Sequence, residues 1–495
     1  MLAKPSLLDR IAFSSRPAST PQKHVASFIV LLTLVAVLSN GSAYTVAHEQ
    51  IAEEFSIDEV HFTNLYWPVT SWALGGGIFG IVVVPLMEDH GCFYPMIASW
   101  LGMIVFIIPQ AVANNFATII VTRFLTGGFV GIIAASAITV ITSYWQDPKI
   151  RGVYVGGYMA AYLIGSSIGP VIGAAILHRG LDWRWIFWIQ AIYLAFWLLP
   201  MIWALRAMPA STSLVEESIE DVKQESVGRM VLRAMRLLAT EPIVTSCTCW
   251  SAFLLGTIYL FTQSVEQVFS TLYGWDATQA GFVQAAVVVG EICAVPCLFL
   301  TNSLYWQTAT NHDTDSLARD KDIHDSERSS STTPSSQIHS SASGPQPQSR
   351  LYLALPGGLI GVTGGMLVYA WTSSPTQPWI APAIGLAMVG WGSVTVVNCV
   401  ASYVVDAYAS VAGSAMTAFA MGENSFIAFL PLAAQPMYGR LGVHWASFLL
   451  ACVSLVLSMV PLFVFWKTTG ATPVSFARAR WRQIQRHRAR VRGRD

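Results

Sequence analysis

Apolar stretches of about 20 residues recur along the chain, each long enough to cross a bilayer as a helix. They lie at 25–46, 63–86, 95–114, 117–143, 153–177, 184–205, 243–268, 277–300, 352–372, 379–404, 411–434 and 443–466. The expected fold class is an all-α polytopic membrane protein with 12 transmembrane helices in two six-helix bundles, 25–206 and 242–466. A polar linker, 207–241, separates them. In it Glu216, Glu217, Glu220, Asp221 and Glu225 precede Arg229, Arg233 and Arg236. That spacing fits a short amphipathic surface helix, with a solvated charged linker as the alternative. Residues 302–350 are dominated by Ser, Thr, Pro and Gln, so the expectation there is a disordered loop. The ends are a polar tail, 1–24, and a basic tail, 467–495.

Composition agrees. The 495 residues are 54% hydrophobic and 11% charged, against about 25% charged in soluble domains. That excludes a string of soluble domains. The net charge is zero, but its distribution is lopsided. If both termini are cytoplasmic, all but Arg123, Arg179, Arg184 and Arg440 of the 28 Lys and Arg lie on the inner side. This is the bias that sets orientation. The expected location is the cell membrane, with no cleavable signal because the first apolar run is long enough to remain as a span. Arginines alternate from Arg478 to Arg494 and are expected to meet anionic lipid. Nucleic acid is not an expected partner. Asn40 opens an Asn-Gly-Ser sequon inside the first span, so no sugar is expected there. The seven cysteines form no CxxC pair and lack His or acidic neighbours at ligand spacing, so no metal site is expected. No nucleophile–base set or phosphate loop is present, which argues against an enzyme.

Charges inside spans are the chemically informative residues, because a central Arg costs about 2.5–3.5 kcal/mol on insertion scales and faces a bundle interior or a wet cavity. The ionisable candidates are Arg123, Glu266, Glu291 and Glu423. Glu291 could equally be satisfied by a neighbouring helix, and Glu266 could lie near the outer surface. Candidate cavity residues are Asn40, Trp72, Tyr158, Tyr162, Tyr259, Gln263, Gln284, Asn398 and Asn424; each could instead pack or bond between helices. Gly75, Gly76, Gly77 and Gly80 make the second span a candidate for tight helix packing. In the fifth, Gly165, Gly169 and Gly173 recur every fourth residue beside Pro170.

Two of these stretches carry a resemblance. "RFLTGG", containing Arg123, resembles the fourth-helix motif of the major facilitator superfamily, and "GSSIGPVIGA" is similar to its fifth-helix antiporter motif. "LDWRWIFWIQ" at 181–190 and "WASFLL" at 445–450 resemble the fungal twelve-span drug:proton antiporters. So do "PWIAPAIGLAMVGWG" and "YVVDAYAS". After the second span, Gly80, Pro85, Leu86, Glu88 and Gly91 match the family signature, while Cys92 and Phe93 replace its basic pair, which in the family helps latch the cytoplasmic gate. Gln263 stands at the acidic position of the seventh-span motif, and Glu266 at its Pro position. Glu423 stands where the family's eleventh span tends to carry Arg.

The resemblance implies proton-coupled efflux of a small organic molecule (a drug, toxin or secondary metabolite) by alternating access. It implies a monomer that uses a proton gradient and no cofactor. On this reading Arg123 organises the proton path, Gly169 and Pro170 form the pliable contact between halves, and Glu291 and Glu423 bind the proton or a cation. The alternatives are a facilitator or importer of a nutrient, polyamine or organic acid, and a non-transporting receptor with the same fold.

Overall fold

The computed structural model describes residues 19–57, 63–90, 92–206, 227–327 and 347–469. The expectations for Gly91, for the basic tail from 470 and for most of the N-tail and linker lie outside these residues. Regular structure among the described residues is entirely helical. The first half comprises α1 (Thr20–Ala43), α2 (His48–Phe55), α3 (Thr63–His90), α4 (Phe93–Ala111), α5 (Phe116–Tyr144), α6 (Pro148–His178) and α7 (Arg184–Arg206). After α8 (Val227–Thr240) come α9 (Pro242–Tyr273), α10 (Ala277–Val283), α11 (Ala285–Glu327), α12 (Ala354–Pro356) and α13 (Gly365–Thr372). The last are α14 (Ile380–Ala407), α15 (Ala412–Phe429), α16 (Ala434–Leu457) and α17 (Val460–Thr469).

Eleven described segments are long and apolar enough to cross a membrane. The last, Ala412–Thr468, has 57 residues. As one straight helix it would be about 85 Å long, nearly three times the hydrocarbon thickness. The helix breaks inside it at Gly442 (φ 75, ψ 167), a conformation open to glycine. That break separates the two spans expected at 411–434 and 443–466.

Local signals set the other boundaries. Asn115 caps α5 by accepting from the Thr118 amide at 2.8 Å. Asp147 caps α6 through the Lys149 amide at 2.8 Å, with Pro148 at the first helical position. Asp276 and Gln279 form a capping box on α10. The linker does contain an amphipathic helix, α8. Ala234 is its fully buried anchor, against Val244 and Ala418, while Leu232 and Met235 stay exposed. One expectation needs correction. The polar stretch placed at 302–350 does not leave helical geometry at its start, because α11 runs on to Glu327. Extending a formed helix requires no new nucleus, so polar residues can follow an apolar span in the same helix.

The two halves repeat one packing plan. The second span packs on the fourth (α3 on α5) and the eighth on the tenth (α11 on α14). Likewise the first packs on the fifth (α1 on α6) and the seventh on the eleventh (α9 on α15). Glycines permit the approach. A Cβ on Gly75 would lie 1.9 Å from the Phe124 carbonyl oxygen, and one on Gly290 would lie 1.8 Å from that of Ala387. Of the second-span glycines, Gly75 and Gly76 face α5, Gly76 and Gly77 face Asn424 of α15, and Gly80 meets nothing within 4 Å. The fifth-span motif is used differently. Gly165, Gly169 and Gly173 face Val35, Ser42 and Ala43 of α1, inside the same half. The contact expected between the halves at Gly169 is thus a contact within one of them. The halves meet instead through α6 on α11 and α3 on α15.

A Cβ at position 169 would fall 2.1 Å from Ser42 Oγ and 2.6 Å from the Ala43 nitrogen. Gly169→Val should therefore weaken the first half by about 1–3 kcal/mol or more, lowering the thermal midpoint of the detergent-solubilised protein. Gly439→Ala, where an added Cβ meets nothing within 4 Å, should leave that midpoint unchanged.

Candidate functional site

Arg123 is fully buried on α5. Its guanidinium donates from Nε to the Pro68 carbonyl (3.0 Å), from one terminal nitrogen to Asn40 (3.2 Å) and from the other to Gly41 (2.6 Å). The Tyr44 ring stacks beneath it at 5.0 Å. Asn40 and Gly41 belong to the last α-helical turn before the chain tightens into a 3₁₀ turn at Tyr44. Carbonyls near such a junction are available to outside donors. The charge is thus neutralised by backbone dipoles of two helices, with no carboxylate among these contacts. A pairing of Arg123 with Glu423 is not found.

Above Arg123 stands an aromatic wall. The Trp72 indole lies over Gly41, where an added Cβ would be only 2.7 Å from the ring. It sits 6.2 Å from the Tyr259 ring of the other half. Gln263 lies one turn further along α9. Among the described residues, neither polar atom of the Gln263 amide has a hydrogen-bond partner, nor has Trp72 Nε1 or Asn40 Oδ1. All three residues are at most 4% exposed. Buried polar atoms without partners cost about 1–3 kcal/mol each. The other Asn40 atom is committed, since Nδ2 donates to Gln190 at 2.6 Å.

Two carboxyls complete the interior. Glu291 on α11 is fully buried and accepts from Ser167 Oγ of α6 at 2.6 Å, across the interface between the halves. Its second oxygen has no partner among the described residues. Ser167 sits between Gly165 and Gly169, so the motif that packs on α1 with its glycines meets the other half with its serine. Glu423 on α15 is half-buried and accepts from Ser251 of α9 at 2.5 Å. It lies within electrostatic reach of Tyr158 and Tyr162, whose rings are 6.3 Å apart.

The remaining candidates are dispersed. Gln284 donates to the Phe261 carbonyl at 2.5 Å and Tyr158 to that of Ala134 at 3.1 Å, both ties between helices of one half. Asn424 packs against Gly76 and Gly77, and Asn398 approaches Gly156, both across the interface. Pro85 and Glu88 lie in the last turns of α3, and an added Cβ on Gly80 meets nothing within 4 Å. Glu266 lies apart, 3.3 Å from His48.

The pattern that defines the Major Facilitator Superfamily matches residues 29–305, more than half of the chain. This chain belongs to that superfamily. It is therefore a multi-pass membrane transporter rather than an enzyme. It is 27% identical over 469 residues to the cercosporin MFS transporter CTB4 of Cercospora nicotianae, covering 90% of this chain and 84% of the relative. With the efflux pump atB of Aspergillus terreus it shares 29% identity over 422 residues, covering 79% and 80%. Among solved structures, the proton:xylose symporter XylE overlays with a TM-score of 0.61 at 13% identity, covering 91% of this chain and 96% of that one. That likeness establishes the fold of the transporter.

Sequence reasoning missed Ser167, Ser251, Gln190 and His48. A serine or glutamine inside a span can bond its own helix, so nothing in its type marks it as the partner of a distant carboxyl. Ser167 alone carried a signal, since it lies inside the motif already singled out.

Three carbonyls depend on one guanidinium. Arg123→Ala leaves all three without that donor and should lower the thermal midpoint markedly, at about 1–3 kcal/mol per uncompensated group. Arg123→Lys keeps the charge but not the planar fork, and its midpoint should fall between those of the wild type and the alanine variant.

Proposed function

We propose that this transporter exports a small organic molecule by alternating access, driven by protons moving inward. The observation that carries this is the Ser167–Glu291 contact. Glu291 is enclosed between the halves with one oxygen bonded to Ser167 and the other without a partner among the described residues. A carboxyl enclosed without a counter-ion is held as the neutral acid, and it can release its proton once the interface parts and water enters. A group that is neutral when enclosed and ionised when wetted on one side couples the motion of the halves to proton flow. Glu423, held by Ser251 near two tyrosines, is the second proton-exchanging candidate. Arg123 serves as the fixed positive anchor that keeps α1 and α3 in register with α5.

The substrate surface in this reading is formed by Trp72 and Tyr259, with Gln263 and Asn40 offering a donor and two acceptors. Aromatic faces and neutral amides favour a flat organic molecule carrying hydroxyl or carbonyl groups. The direction of transport is supported by the relatives, one named an efflux pump and another a cercosporin transporter. The distribution of basic residues supports a cell-membrane protein with both termini in the cytoplasm. The protein works as a monomer, without a cofactor.

In liposomes with an imposed proton gradient, the wild type should drive uphill flux of a polycyclic aromatic metabolite. Glu291→Gln should abolish gradient-driven flux while preserving exchange of substrate across the membrane. Flux that ignores the gradient in the wild type would identify a facilitator, and gradient-driven flux surviving in both Glu291→Gln and Glu423→Gln would remove these carboxyls from the proton path. Gln263→Leu, which deletes both unpartnered atoms, should raise KM about 5- to 150-fold, the equivalent of about 1–3 kcal/mol, with gradient dependence retained.

A further inference from the structure

We propose that His48, Glu49 and Glu266 form a binding site for one divalent transition-metal ion of the zinc class, which clamps the two halves together at the outer mouth. His48 and Glu49 open α2, and Glu266 belongs to α9 of the other half. One nitrogen or oxygen from each of the three residues lies within 4.8 Å of the others. This end is opposite to the one where Asn302 donates to the Lys149 carbonyl at the start of α6. It is marked instead by the end of α6, where His178 packs on Phe282.

The histidine geometry supplies the decisive detail. His48 Nδ1 lies 2.9 Å from the Thr45 carbonyl oxygen. A carbonyl only accepts, so Nδ1 carries the proton, and in the neutral ring Nε2 is left with a lone pair. That Nε2 faces Glu266 Oε1 at 3.3 Å. Two lone-pair atoms at this distance repel unless a cation lies between them. One proton could fill that role for His48 and Glu266 alone. The set, however, includes a second carboxyl, Glu49, so three ligand atoms converge, and one metal ion can meet all three where a single proton cannot. A ring that donates its far N–H to a backbone carbonyl while presenting the near nitrogen is the arrangement that outer-shell contacts impose on metal-binding histidines. One imidazole with two carboxylates suits zinc and its neighbours better than calcium or magnesium, which favour all-oxygen sets. The Tyr66 ring, 6.4 Å from His48, flanks the site.

The ligands come from both halves, so the filled site exists only while this end is closed. Binding the ion must then favour the closed arrangement by linkage. The ion would be an inhibitor, distinct from the proton-exchanging carboxyls at the centre.

The test is zinc titration of the chelator-stripped, full-length protein in detergent, read by competition with a chromogenic zinc indicator, with magnesium as control. The expected result is one zinc per chain at micromolar concentration, lost in His48→Gln and weakened about tenfold or more in Glu49→Gln and Glu266→Gln. Glu49 is exposed, so its variant keeps the test valid if a buried one fails to fold. In the same variants, zinc added at this face of liposomes should lose its inhibition of substrate exchange, a readout independent of proton coupling. No zinc bound in the micromolar range, or equal affinity in all three variants, would overturn the site. In the first case the pair holds only a proton; in the second the ion binds elsewhere.

Discussion

Hydrocarbon offers no hydrogen bonds, and that single constraint organises this structure. Every polar group inside the two bundles must find its partner in the protein or remain unsatisfied. Arg123 meets the demand most completely. Its planar fork reaches three carbonyls on two neighbouring helices, and Tyr44 covers its face. A lysine's compact ammonium, with donors fanned about one point, cannot match that span. The arginine thereby fixes how α1 and α3 sit against α5, and this in turn sets Trp72 over Gly41. The aromatic wall depends on a charge that never touches a carboxylate in the described structure.

Packing divides the molecule into two stiff bodies. Within each half, glycine lets backbones approach to distances that no other residue would allow, as at Gly75 on Phe124 and Gly290 on Ala387. Between the halves the contacts are of another kind. Thr70 donates to the Ala428 carbonyl at 2.8 Å, Asn424 lies on Gly76, Ser167 meets Glu291, and His48 faces Glu266. Water can replace such polar contacts, and apolar ones lie beside them, Trp72 on Tyr259 and Val46 and Ala174 with Ala277. Backbone-to-backbone packing across the glycines has no comparable substitute.

The spans, their number and the two-bundle plan were legible because length and hydropathy alone specify a membrane helix. The break at Gly442 was legible as a polar interruption between two apolar runs. Arg123 stood out because a charge in a span demands an explanation. The fifth-span glycines announced a close contact, but not its partner. A small-residue face shows that a helix is approached, and only the three-dimensional arrangement reveals that α1 does the approaching. The partners of the carboxyls were illegible for a related reason. Ser167 and Ser251 lie 124 and 172 positions from Glu291 and Glu423, and serines are common in spans. The helical extension to Glu327 escaped because composition reports what cannot form a core, whereas helix continuation needs only a preceding turn.

The polar groups of the interior then sort themselves by whether they are satisfied. Gln284 and Tyr158 spend their bonding capacity on neighbouring carbonyls and act as structural ties. Gln263, Trp72 Nε1, Asn40 Oδ1 and one oxygen of Glu291 do not. A structural role gives no reason to maintain that deficit, because an apolar side chain of similar size would avoid it. A role in binding does give one, since a ligand group or a proton that meets these atoms gains what the empty arrangement forgoes. Unsatisfied atoms occur in both halves, Asn40 and Trp72 among those on one side and Gln263 and Glu291 among those on the other. On the proposed reading, a molecule that meets atoms from both sides bridges the two halves, and its binding energy is available to bias how they tilt. On that reading the incompleteness of the site couples its occupancy to motion.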